Sequence, residues 1–177
     1  LQVWADVTGG ISSTTVADLS GNNRTGTLTS TTAKGTLAGN TYFEAFGSNA
    51  ITYATGVLPN LPYTTGNACT FFFVCTNKTI SEAYLLIFTF KPNGGNSEVH
   101  IYKHENGNTV SENHAVGGNN QSFELTDNNS TTTIGTSSWS NEYLNAGIFA
   151  WGATNTEITS AERQVIYDYY GDKGLAN

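Results

Sequence analysis

Glu98, His100, Tyr102 and His104 fall at alternate positions in the segment Glu-Val-His-Ile-Tyr-Lys-His. In an extended strand alternate side chains share a face, so these four make one stripe while Val99 and Ile101 point the other way. Three chemistries bear on such a stripe. Retaining glycoside hydrolysis needs two carboxylates about 5–5.5 Å apart. The stripe carries one, Glu98, so a glycan hydrolase is the remote alternative. Zinc needs its ligands about 2.1 Å from one ion, and His100 and His104 would stand about 13 Å apart on a strand. The third is binding without reaction. Tyr and His present flat apolar faces with polar edges, which suit stacking on sugar rings. The plain competitor is a solvated sheet face, or a face against a neighbouring subunit.

Trp139 and Tyr143 belong to a Ser-rich segment, Ser137–Tyr143, where Trp139 is the best candidate for an exposed ring touching glycan or protein. Trp4 and Trp151 lie in apolar runs and read as core. No nucleophile elbow, phosphate loop or Cys/His metal cluster is present, and no spacing singles out a catalytic triad. The chain therefore reads as a non-enzyme. Cys69 and Cys75 would be about 20 Å apart on one strand, too far to pair with each other, and read as buried thiols. Reduced thiols lean toward assembly inside a cell, as for phage parts.

Composition narrows the partners. Charged residues make up 12% of the 177 positions and the net charge is −7. No basic patch is visible of the kind that neutralises nucleic-acid phosphates. No apolar run approaches the ~20 residues of a membrane span, so neither nucleic acid nor membrane insertion is expected. The polar residues are mainly Thr, Ser, Asn and Gly, a composition common on virion appendages and extracellular β proteins. The chain starts at Leu1 rather than Met, which reads as a processed chain or a domain cut from a longer one.

The elements that must position these residues are mostly strands. Period-2 apolar runs separated by Gly/Asn/Ser clusters predict strands at Thr41–Phe46, Ala50–Tyr53, Cys69–Thr76, Ala83–Phe90, Glu98–His104, Ser122–Thr126, Thr131–Ile134 and Tyr143–Trp151. Cys69–Thr76 and Ala83–Phe90 are nearly continuous in apolar residues, which predicts central strands covered on both faces. One helix is predicted, over Thr159–Tyr170. Thr159 and Glu162 form a capping box, Ala161, Val165, Ile166 and Tyr169 would share the buried face, and Gly171 offers a left-handed stop. The helix is expected to cover an open end or edge of the sandwich. The whole, residues 1–177, reads as one domain.

Several segments, in order, resemble one family. Leu1–Gly10 (LQVWADVTGG), Val16–Leu28 (VADLSGNNRTGTL), Tyr42–Tyr53 (YFEAFGSNAITY), Thr70–Thr76 (TFFFVCT), Ser130–Ser138 (STTTIGTSS) and Asn145–Leu175, with its closing strand–loop–helix, are similar to the motifs of laminin-G-like, concanavalin A-like jelly rolls. Ala17 replaces the usual Trp, and Trp151-Gly152-Ala153 stands where relatives often carry Ile-Tyr-Asn-Arg. The resemblance implies an all-β, two-sheet antiparallel jelly-roll sandwich with one C-terminal helix, often with a concave, solvent-facing surface. It implies a possible calcium at the sandwich rim, for which Asp18, Asn22, Asn23 and Asp127 are the candidates; the competing reading is that Asx residues simply shape turns. It also implies a recognition module for a glycan or host receptor on a virion or cell surface. The alternative is a structural virion component packed against neighbouring subunits.

Overall fold

The structure, a computed structural model, describes residues 1–54, 62–63, 68–76, 79–93, 96–105, 108–116, 123–124, 132–134 and 146–175. In chain order the strands are β1 (Val3–Asp6), β2 (Thr15–Val16), β3 (Gly26–Leu28), β4 (Lys34–Leu37), β5 (Asn40–Ala45), β6 (Ile51–Tyr53), β7 (Pro62–Tyr63), β8 (Cys69–Thr76), β9 (Ala83–Asn93), β10 (Asn96–Glu105), β11 (Asn108–Val116), β12 (Phe123–Glu124), β13 (Thr132–Ile134) and β14 (Ala146–Thr154), followed by the helix α1 (Ser160–Gly171). Every ladder among the described strands is antiparallel. The larger sheet runs β11-β10-β9-β8-β14-β5-β4, with β1 also joined to β14; the smaller runs β13-β6-β3-β2, and β7 pairs with β12 alone.

The apolar runs explain the centre of this arrangement. All nine residues of β14 are buried, and β8 is buried at every position but Phe73. One face of the large sheet, with Val3, Ala5, Phe43, Phe71, Ile148 and Trp151, packs on Val16, Leu28, Ile51 and Tyr53 of the small sheet. This is the sandwich. Trp151 donates its indole N–H to the Tyr53 hydroxyl at 3.0 Å across it, so the polar atoms of these two large rings satisfy each other where water cannot reach. Cys69 and Cys75 are both free and buried, and burial pushes the Cys69 thiol up to about 11.

The other face of the large sheet is also covered. Tyr42, Phe72, Val74, Leu85, Ile87, Phe149 and Ala150 pack with Ile158, Tyr167, Tyr170 and Leu175. The helix thus forms a third layer against a sheet face, where the sequence suggested an end or edge. A bulge in β14 contributes: the register to β8 shifts between Ile148 and Ala150. A bulge adds one residue to the alternation, so Phe149 and Ala150 both join the helix-side cluster.

The helix begins as predicted, with Thr159 and Glu162 in a reciprocal capping box. Its buried side differs. Tyr167 and Tyr170 are buried, whereas Val165 is 68% and Tyr169 39% exposed. The choice is made by Tyr170, whose hydroxyl accepts from Trp4 Nε1 at 2.9 Å and donates to Asp6 Oδ2 at 3.3 Å. A fully buried tyrosine with both partners fixes the helix rotation more firmly than Val165, which remains wet; of the face predicted from sequence, Ile166 packs against the cluster. The stop also shifts: Gly171 ends the helix itself, Asp172 is its C-cap, and the left-handed residue is Gly174 at φ 72°.

Candidate functional site

The stripe lies on β10, which pairs β9 with Glu98 opposite Lys91, His100 opposite Thr89, Tyr102 opposite Ile87 and His104 opposite Leu85. The side chains of Glu98 and His100 lie outside what the structure describes. Leu85 and Ile87 belong to the helix-side cluster, and Tyr102 and His104 meet the helix. The His104 and Tyr167 rings stack at 4.2 Å with 9° between their planes. The Arg163 guanidinium sits 4.1 Å from the centre of the Tyr102 ring. At these two positions the stripe is therefore a seam between sheet and helix rather than an open surface.

What this seam leaves is a groove. Tyr102, Glu157, Ile158, Thr159, Ser160 and Arg163 line an open, shallow space of about 430 Å³. Arg163 is held in place: Nη1 donates to the Ile158 carbonyl at 3.0 Å and Nη2 to Ser160 Oγ at 2.9 Å. The Thr159 hydroxyl is taken up in the cap, accepting from the Glu162 backbone N–H at 3.2 Å and donating to Oε2 at 2.9 Å. Hydrogen bonds from the Thr159 backbone and hydroxyl hold the Glu162 carboxyl below its usual range. Burial pushes the His104 imidazole down, against the opposing pull of Asp168. Arrayed around the groove are an aromatic wall, one fixed cation, one carboxylate and a serine hydroxyl. Such a set can orient a polar ligand by hydrogen bonds.

The candidate calcium residues have another use. Asp18 Oδ1 accepts from the backbone N–H of Trp4 at 3.0 Å and of Ser20 at 2.9 Å. Its Oδ2 accepts from Ser20 Oγ and from the Arg24 backbone, each at 2.9 Å. Burial raises the Asp18 carboxyl, and the hydrogen bonds from Arg24, Ser20 and Trp4 outweigh it, leaving the group below its usual range. Asn22 Nδ2 donates to the carbonyls of Leu1 and Gln2 at 3.1 and 3.0 Å. Asn23 adopts a left-handed conformation at φ 58°. This is a loop knitted to the N-terminal strand by its Asx side chains. Asp127, Trp139 and Tyr143 lie outside the described residues.

Among the described residues no group of three His, Cys, Asp or Glu could hold a metal ion, and no helix is long and apolar enough to cross a membrane. Sequence reasoning passed over Arg163 and Glu157. The available signal was scarcity: Arg163 is one of two arginines in the chain, placed one turn into a helix. Comparison of the chain with protein-family models, with curated proteins and with solved structures finds no match.

Proposed function

We propose that this chain is a non-catalytic recognition module of the laminin-G-like, concanavalin A-like jelly-roll kind, displayed on a virion appendage or cell surface, where it binds a glycan or a host receptor. The observation that carries the reading is the groove between β10 and α1. There Tyr102, its ring capped by the Arg163 guanidinium, lines one space with Arg163 and Glu157. Sugars are recognised by directional hydrogen bonds from polar groups of this kind. Among the described residues lining the groove, Glu157 alone carries a carboxylate, whereas glycoside hydrolysis uses a pair. The reading includes no cofactor, no nucleic acid and no membrane insertion.

The test is a glycan array, followed by titration with host-surface polysaccharide. Binding that is lost in Tyr102→Ala while the fold is retained supports the module; a folded protein that binds no glycan and attaches to no host surface contradicts it. The second reading, a structural virion component, draws on Val165, which stays exposed on α1, and on Tyr169, which is partly exposed beside Trp4. Apolar side chains in that position suit a neighbouring subunit.

A further inference from the structure

We propose that the solvent side of α1 docks a basic amphipathic helix of a partner protein, an inference that rests on the subunit-packing reading above and not on the glycan groove. The helix carries apolar residues on two sides. Ile166, Tyr167 and Tyr170 pack toward the sheet. Ala161, Val165 and Tyr169 follow one another at four-residue steps, so they form a single ridge along the helix. Ala161 is exposed, Val165 is exposed over 68% of its surface and Tyr169 over 39%. The ridge is about 12 Å long, and Trp4 of β1 meets the Tyr169 ring edge-on at 5.4 Å. Scattered apolar residues need no explanation. Three on one ridge are different, because a four-residue ridge is what fits the groove of a second helix.

The charges beside the ridge give the partner its sign. By helical geometry Glu162 lies on one flank and Asp168 on the other, with Asp172 at the C-terminal end. All three are exposed. Glu162 Oε2 accepts from the Thr159 backbone and hydroxyl, and Asp168 Oδ1 from Gln164 Nε2 at 2.8 Å. These donors are neutral and leave both charges in place. The last turn of α1 holds no basic residue, although a helix C-terminus favours cations. Lys173 lies just beyond, with Nζ 4.9 Å from the centre of the Tyr169 ring and donating to Thr8 Oγ1 at 3.2 Å. Arg163 turns to Tyr102, and the Leu1 ammonium acts on Glu162. Three carboxylates thus stand beside the ridge against the Lys173 and Leu1 ammonium groups, on a chain of net charge −7. A basic helix gains from that field, whereas a second copy of this chain would set the same three carboxylates against their like.

The experiment measures, by fluorescence anisotropy, binding of three designed amphipathic peptides, one of Leu and Lys, one of Leu and Glu, and one of Ser and Lys. The proteins are wild type, Val165→Ser and the double variant Asp168→Asn, Asp172→Asn. All three substitutions are at exposed positions, and circular dichroism checks that each variant is folded. The expected result is that wild type binds the Leu/Lys peptide and binds the other two about tenfold or more weakly, with about a fivefold loss in each variant. Leu/Lys binding that neither variant weakens overturns this face as the site. Equal binding of the Ser/Lys peptide shows attraction without the ridge and overturns the inference. No Leu/Lys binding by folded wild type overturns the basic-helix partner and leaves subunit packing standing; self-association that Val165→Ser abolishes gives the ridge to a second copy instead. A chain that sediments as a monomer and is built into no particle overturns the subunit-packing reading and this inference with it.

Discussion

Each carboxylate oxygen of Asp18 accepts two hydrogen bonds from the chain itself. An ion would have to displace those donors, and the loop between Asp18 and Arg24 is held to β1 by them. The expected outcome is that calcium leaves the thermal transition unchanged, and that a calcium-dependent rise in Tm contradicts this assignment. The pH dependence follows from the lowered carboxyl. A depressed native value stabilises the fold at all pH above the unfolded value of about 3.9, and this stability is lost as pH falls through the native one. Urea melts of Asp18→Asn should therefore show a shallower acid slope than wild type. Gly152 makes a second case. A Cβ there would lie 2.3 Å from Phe72 Cε1 and 2.8 Å from the Val3 carbonyl. Gly152→Ala is expected to cost about 1–3 kcal/mol by overpacking, read from denaturant midpoints.

At the scale of elements, the helix and β10 were each legible and their meeting was not. The capping box and the extended stripe are local patterns, written in neighbouring residues. Which helix side docks is decided by Tyr170 reaching Asp6 and Trp4, residues over 160 positions away in sequence, and no local period encodes that. The same holds for β11. Its residues, Asn-Thr-Val-Ser-Glu-Asn-His-Ala-Val, are too polar for an apolar run, yet Glu105 pairs with Asn108 across Asn106 and Gly107, and Asn-Gly is a strong two-residue hairpin signal. The seam gives a pH prediction. His104 is lowered by burial against the pull of Asp168, in contact with Tyr167 and beside Leu85 and Ile87. The unfolded chain therefore takes its proton first. The contribution is complete above about pH 6.5 and declines as pH falls through the native value. His104→Phe should remove that part of the stability–pH curve, and an unchanged curve would contradict the seam.

For the whole molecule, the two-sided burial of β8 is the feature that composition made readable, because only strands covered on both faces can be so continuously apolar; β9, read the same way, alternates buried and half-buried residues over Leu85–Thr89, and the two-sided burial of β14 had no such reading. The sequence-level picture was a two-layer sandwich with one open face. The molecule has a helix on that face, held by Tyr167 against His104 and Tyr170 against Trp4 and Asp6. On the proposed reading, a ligand would meet Tyr102 at the margin of α1 rather than across an open sheet. The most direct measurement is to map, by NMR chemical-shift perturbation, where the tightest-binding oligosaccharide from the array contacts the protein. The account predicts perturbations centred on Tyr102 and the Glu157–Arg163 segment; perturbations centred elsewhere, such as the loop between Asp18 and Arg24, would contradict it.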